Sequence, residues 1–327
     1  MDRERAQPEE LPPLELTKIR DLLVHREEGD EAPGYIRSAS AVVRRADYAY
    51  VVGDDELAVG VFRLSQDEPG ELRTALPGEL PSEAKARKKA KPDLEVLTTL
   101  PPTEDAPFGG LLGLGSGSNE HRDRGFFWAL DARGELDGEP VVIELSPLYR
   151  LLRDRIGDLN VEGAAILGDR FMLFHRGNAK GTENAIAELS LEHLRASLRG
   201  DNTLDVDELE SVRSYDLGEL GDTRLAFSDA APLSEDLVVF TASAETEAET
   251  AVDDGQIRGS VVGTIDRDGN VKRLRTIDRK WKVEGVHAAI EAGVIDFVFV
   301  CDQDDPDEPS PLLSATMPIE GGFEYSE

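Results

Sequence analysis

One pattern recurs down this chain and limits what it can become. An acidic residue stands at the start of a short apolar run, a turn follows, and a second apolar run ends on polar residues. "NVEGAAILGDRFMLFHRGN" (Asn160–Asn178) and "KVEGVHAAIEAGVIDFVFVCDQDD" (Lys282–Asp305) show it most plainly. "DLEVLTTLPPTEDAPFGGLLGLGSGSN" (Asp93–Asn119) is a third copy. "FSDAAPLSEDLVVFTASAE" (Phe227–Glu245) is a fourth, and "SASAVVRRADYAYVVGDDE" (Ser38–Glu56) a fifth. Aligned on the acidic place, the copies bring Ser40, Glu95, Glu162, Asp229 and Glu284 into register, at spacings of 55, 67, 67 and 55 residues. Such repetition marks architectures in which one supersecondary unit cannot bury its own face and needs its neighbours.

Each copy reads as a β-hairpin, with apolar and β-branched runs around turns such as "GD" and "SED". A third strand candidate follows each: "LAVGVFRL", "GFFWALD", "NAIAELSL", "GSVVGTID" and "PLLSATM". A fourth follows all but the last: "ELRTAL", "PVVIELSPL", "ELESVRSYDL" and "NVKRLRTID". The N-terminal part supplies an orphan, "PLELTKIRDLL" (Pro13–Leu23). The expectation is an all-β, five-bladed β-propeller closed by that N-terminal strand, because radial repetition of four-stranded sheets protects their edges. It would be a single domain over 1–327, with 1–12 a flexible tail, 13–24 the closing strand, and blades starting near 40, 95, 162, 229 and 284. Six blades, or a β-sandwich, are the alternatives. "EHLRASLR" (Glu192–Arg199) reads as a short helix between blades, and the basic run "EAKARKKAK" (Glu83–Lys91) as a solvated loop.

In a propeller the first strand of each blade lines the central channel, and the second runs antiparallel beside it. The start of the first and the end of the second therefore share one face. Glu95, Glu162, Asp229 and Glu284 should ring one channel mouth, with Ser40 in the remaining place. Outside them come Asp54, Asp55, Ser116, Ser118, His175, Arg176, Asn178, Ser243, Glu245, Asp302 and Asp304. Converging carboxylates repel, and three things relieve them: a bound cation, raised pKa values or basic partners. Oxygen ligands suit Ca²⁺ or Mg²⁺ more than Zn²⁺, so Glu95, Glu162, Asp229 and Glu284 are the candidate metal ligands. Lys91, Lys282, Arg122, Arg124 and Arg176 are the candidate basic partners. If they pair with the acids, the ring is structural.

His175 closes the second strand opposite Glu162, so imidazole and carboxylate are a candidate catalytic pair. His287 is placed in the channel wall. Ser116, Ser118, Arg122, Arg124, Arg176, Asn178 and Lys282 are candidate ligand-binding residues, the first four on the polar loop "SGSNEHRDRG". There is no nucleophile elbow, Walker loop, zincin helix or dinucleotide fingerprint.

"DLEVLT", "LGLGSGSNEHRDRG", "VEGAAILGDRFMLFHRGN", "FSDAAPL" and "KVEGVHA" together resemble a family of uncharacterised bacterial propeller proteins, over most of the chain from Ser38 to Asp305. More distantly, the "VEG" blade starts resemble phytase-like esterase propellers and the gluconolactonase group. In the latter a channel glutamate helps bind a divalent metal, which by position implicates Glu162 or Glu284. Three functions follow as expectations. One is a metal-dependent hydrolase of a small ester, lactone or phosphoester; another is a non-catalytic binder of a small molecule at the mouth; the third is a protein-binding scaffold.

Charge narrows the partners. The net charge is −31, spread along the whole chain, with 9 Lys against 27 Arg. Phosphate backbones need basic surface, so nucleic acid is not an expected partner. A lone cysteine, Cys301, excludes an internal disulfide and a cysteine metal cluster. No run of 18 apolar residues and no apolar signal core occur, so a cytoplasmic monomer away from membranes is expected. A uniformly acidic, Lys-poor surface suits a salt-rich solvent, where screening removes self-repulsion. The melting temperature should then climb steeply between dilute buffer and molar KCl; a flat dependence would leave solubility as the only reading of the charge.

Overall fold

The computed structural model describes residues 3–26, 33–177, 182–245, 257–302, 305 and 307–318. Its strands form five small sheets. From the channel outward, blade one is Ala39–Arg45, Tyr48–Gly53, Ala58–Arg63 and Glu71–Thr74. Blade two is Leu94–Leu100, Gly110–Gly115, Arg124–Ala129 and Val141–Glu144. Blade three is Val161–Leu167, Arg170–His175, Asn184–Ser190 and Ser211–Asp216. Blade four is Thr223–Pro232, Leu237–Glu245, Ile257–Asp266 and Val271–Thr276. Blade five is Val283–Glu291, Val294–Cys301, Pro311–Pro318 and, last, the N-terminal Thr17–Asp21. The inner strands touch in the order one to five and back to one, so the ring is a closed five-bladed propeller.

Strand alternation sends successive side chains into the interfaces on the two sides of a blade, and each interface is one apolar core. Leu114, Tyr149, Val161 and Leu173 lie between blades two and three. Phe174, Phe227 and Phe240 lie between three and four, with Phe227 meeting both other rings edge-on at 5.1 and 5.2 Å. Val239, Val283 and Phe299 fill four to five, Leu22, Val42 and Val300 five to one, and Tyr50, Leu94 and Trp128 one to two.

Closure follows the expected route. Thr17–Asp21 pairs antiparallel with Pro311–Pro318, joining the two ends of the chain in one sheet. Leu14, Leu16, Leu22 and Val24 of this segment are buried. The residues ahead of it, read from sequence as a loose tail, are hydrogen-bonded along the outside. Arg3–Arg5 adds a parallel strand to the outer edge of blade three. Glu9 N–H then donates to Leu274 O and Leu14 N–H to Thr276 O on blade four. Open strand edges draw any extended segment that can satisfy them, which is why this stretch is held.

The expected helix appears as Leu191–Arg199. Two further helices depart from the sequence reading. The basic run expected to be a loop forms helix α1, Ala84–Ala90, N-capped by the Glu83 carboxylate on Lys85 and Ala86 N–H. Its Ala, Lys and Arg residues are strong helix formers, and that preference wins here. Beyond the outer strand of blade two lies helix α2, Ser146–Ile156, which buries Leu148, Tyr149 and Leu152. Cutting residues 1–24 removes four buried apolar anchors, each worth about 2–5 kcal/mol by analogy with Leu→Ala changes, out of a typical total of about 5–15. The truncated chain should therefore not melt cooperatively, and Leu22→Ala alone should cost about 3 kcal/mol in a denaturant titration. Wild-type melting by the truncated chain would contradict the closure.

Candidate functional site

Every inner strand carries a register break at the same place. It falls between Ala39 and Ala41, Leu94 and Val96, Val161 and Gly163, Phe227 and Asp229, and Val283 and Gly285. A bulge leaves one residue unpaired and re-aims its side chain. The bulged residues are Ser40, Glu95, Glu162, Ser228 and Glu284. The twice-written "VEG" now has a physical reason. Val161 and Val283 enter the interface with the preceding blade. The glutamates bulge out of the ladder. A Cβ on Gly163 would lie 2.6 Å from Ala230 N, and one on Gly285 2.7 Å from Ala41 Cα, so only glycine lets the next inner strand approach.

This register corrects one member of the expected acidic ring. In blade four the bulged residue is Ser228, and Asp229 stands one place further on, where blades three and five have glycine. Asp229 is fully buried; Oδ1 accepts from its neighbour Ala230 N–H at 2.7 Å and Oδ2 from Val286 N–H at 2.7 Å. Burial pushes its carboxyl well up, against those two bonds. Oδ2 thus ties blade four to blade five while Oδ1 is spent on its own strand, and the sequence alignment slipped because an acid happened to follow the bulge.

The remaining acids meet basic partners. Arg176 NH2 lies 2.8 Å from Glu245 Oε2, and NH1 lies 3.5 Å from Glu162 Oε2 and 3.8 Å from Glu284 Oε2. Lys282 Nζ is 3.4 Å from Glu284 Oε1 and 4.0 Å from Asp302 Oδ2. Asn160 Nδ2 donates to Glu162 Oε1 at 2.5 Å. On the side of blades one and two, Lys91 Nζ bonds Asp54 Oδ2 and lies 2.9 Å from Asp93 Oδ1. Arg122 NH1 lies 2.6 Å from Asp93 Oδ2, which also accepts from Ser116 Oγ. Ser118 Oγ joins this network, 3.0 Å from Ser116 Oγ and 2.6 Å from Arg122 NH1. Helix α2 holds the serine loop in place: Tyr149 Oη donates to Gly115 O, and Arg153 bonds Gly117 O and Asp123.

Glu95 differs from the rest. Among the described residues no hydrogen bond or ion pair is made to it. Burial, then the charges of Glu162, Asp93 and Asp54, push its carboxyl well up, against Lys91. Asp54, Asp93 and Glu95 each present an oxygen, and the three atoms lie within 4.8 Å of one another, a grouping that could hold a metal ion.

The expected pairing of His175 with Glu162 is replaced. The ring faces the opposite side of the strand, where Nδ1 accepts from Asn160 N–H at 3.0 Å, and Nε2 is buried with no hydrogen bond among the described residues. Burial pushes this imidazole down to about 4. The next residue, Arg176, meets Glu162 instead, because adjacent strand residues face opposite ways. Arg124 turns to Pro77 O at 3.4 Å and, among the described residues, is not joined to the acids. Asn178 and Asp304 lie outside the described residues. Asp93, which sequence reasoning missed, precedes its inner strand in the position that Lys282 and Asn160 occupy in theirs.

Fold and site together define a five-bladed β-propeller whose bulged inner strands and second-strand ends gather acids and bases at one mouth of the ring. The chain belongs to the family of unknown function DUF6929, whose profile matches residues 35–317. No protein with a curated description matches it. Among solved structures it is similar to an α-L-arabinofuranosidase from Podospora anserina in complex with cellotriose, at 10% identity and a TM-score of 0.49, covering 94% of this chain and 98% of that one. A glycosyl hydrolase from Bacteroides ovatus is similar at 8% identity and 0.44, covering 96% and 97%. At these values no activity passes from them to this chain. Among the described residues no helix is long and apolar enough to cross a membrane.

Glu162 gives a test with a definite sign. Burial, with the charges of Glu284 and Asp93, lifts its carboxyl from 4.5 to about 7, against Arg176. A folded value above the unfolded one means the folded state binds the extra proton between these limits, so stability contributed by Glu162 is lost as pH rises from about 4.5 to 7. Buried His175 and part-buried His287, both pushed down to about 4 chiefly by desolvation, act in the opposite direction. The difference between wild type and Glu162→Gln isolates the carboxyl: the variant should gain stability relative to wild type as pH rises through that window. A pH-independent difference in denaturant midpoints would contradict the assignment.

Proposed function

We propose that the channel mouth binds a divalent cation, Ca²⁺ or Mg²⁺ rather than Zn²⁺, and uses it to hydrolyse a small ester, lactone or phosphoester. The observation that carries this reading is the convergence of Asp54, Asp93 and Glu95 within 4.8 Å. Their oxygen donors suit hard cations, and the imidazole that zinc would favour, His175, is turned away. A bound ion would act as a Lewis acid on the substrate oxygen. Glu162, lifted to about 7, is suited to take a proton from water near neutral pH. Arg122 and Arg176 offer fixed positive charge to an anion that develops beside them.

A binding role without catalysis is the second reading. It is favoured by Arg176, whose guanidinium already spans Glu162, Glu245 and Glu284 and would need to be released to serve a substrate. Calorimetric titration of Ca²⁺, Mg²⁺ and Mn²⁺ into chelator-stripped protein should give heat with wild type and, for Glu95→Gln, binding weaker by about tenfold, roughly 1.4 kcal/mol. Metal-dependent turnover of model lactones, esters or phosphoesters then separates hydrolase from binder. Stripped wild type giving no heat and no thermal shift with any of the three ions would overturn the cation site.

A further inference from the structure

We propose that Lys91 is the resident cation of this site, and that its ammonium must leave before a divalent ion can enter. The inference rests on the cation reading above and concerns how that site is filled. Lys91 Nζ is bonded to Asp54 Oδ2 and lies 2.9 Å from Asp93 Oδ1, so it sits against two of the three converging acids. Its side chain is only 15% exposed. An ammonium held at hydrogen-bond distance by both carboxylates and a divalent ion coordinated by the same two carboxylates would crowd one another, and their mutual repulsion would be large there.

The surroundings make the lysine a separable plug. Lys91 is the C-terminal cap of helix α1, where its N–H donates to Arg87 O. The helix is fastened independently of the ammonium. Arg87 bonds Asp55 Oδ2 at 3.2 Å and Asp55 O at 2.6 Å, while Lys88 O faces Arg122 NH2 at 3.5 Å and Lys89 O faces His121 Nε2 at 2.9 Å. The four-carbon stem of Lys91 can therefore swing out while the backbone stays in place. Exchange is then a competition between a single and a double positive charge, and Glu95, without a partner of its own, supplies the extra negative charge that only the divalent ion uses.

The prediction is that the wild-type affinity for a divalent ion is held down by Lys91. Mn²⁺ titrated by calorimetry into stripped wild type, Lys91→Met, Lys91→Gln and Lys91→Arg should show about tenfold or tighter binding for the two neutral variants, with Lys91→Arg no tighter than wild type. Without metal, Lys91→Met should melt below wild type, because Asp54 and Asp93 lose a counter-ion, and Mn²⁺ should raise its melting temperature more than it raises that of wild type. Lys91→Gln gives the same reading if the methionine variant does not fold. Equal or weaker Mn²⁺ binding by both neutral variants, beside a wild type that binds, would overturn the plug and leave the cation site standing. Absence of Mn²⁺ binding in all four proteins would overturn both.

Discussion

The structure depends on one extra residue in each inner strand. Strand periodicity sends alternate side chains into the two flanking interfaces, and no plain strand could aim a charged side chain at the channel without taking it from a core. The bulge breaks that rule locally, at Ser40, Glu95, Glu162, Ser228 and Glu284. Each bulge leaves the apolar residue before it free to fill the interface with the preceding blade. In blades three and five the glycine after it lets two backbones approach to distances that no Cβ would allow. Tight blade contact and a polar axis thus come from the same three residues.

What the bulges gather is charge, and its placement is uneven. Glu162, Glu245 and Glu284 share Arg176, Glu284 also faces Lys282, and Asp54 and Asp93 share Lys91. Buried charges persist where they are paired, since an unpaired one is strongly penalised by desolvation. Glu95 is the exception among these acids, and it lies beside the two carboxylates that a lysine bridges. On the opposite side, blade four contributes Ser228 at its bulge and Glu245 at the end of its second strand, the latter paired with Arg176.

Much of this was legible in the sequence because a propeller repeats its local rules. The hairpins, the third and fourth strands and the N-terminal closing strand all follow from apolar periodicity and an unmatched strand at each end. The helices were harder to read. Pro147 and the Leu148, Tyr149, Leu152 stripe of α2 directly follow a strand, and α1 rests on intrinsic propensity in a run that looked merely charged. At the site, a one-residue bulge is invisible to an alignment on acidic character. Asp229 took the place of Ser228 for that reason, although its chemistry is a backbone clasp. The same parity rule, counted one residue further, would have assigned Arg176 rather than His175 to Glu162. Lys91 was visible as a nearby base, but its seat between Asp54 and Asp93 depends on where α1 ends.

The central claim is that oxygen atoms from Asp54, Asp93 and Glu95 form the cation seat of this propeller. Anomalous diffraction from Mn²⁺-soaked crystals, collected above the manganese absorption edge, tests it most directly. A peak bounded by those three carboxylates, with the Lys91 ammonium displaced from them, is the predicted result. A map with no anomalous peak there, or with its peak at Glu162 and Glu284 and Lys91 still bonded to Asp54, would contradict the account.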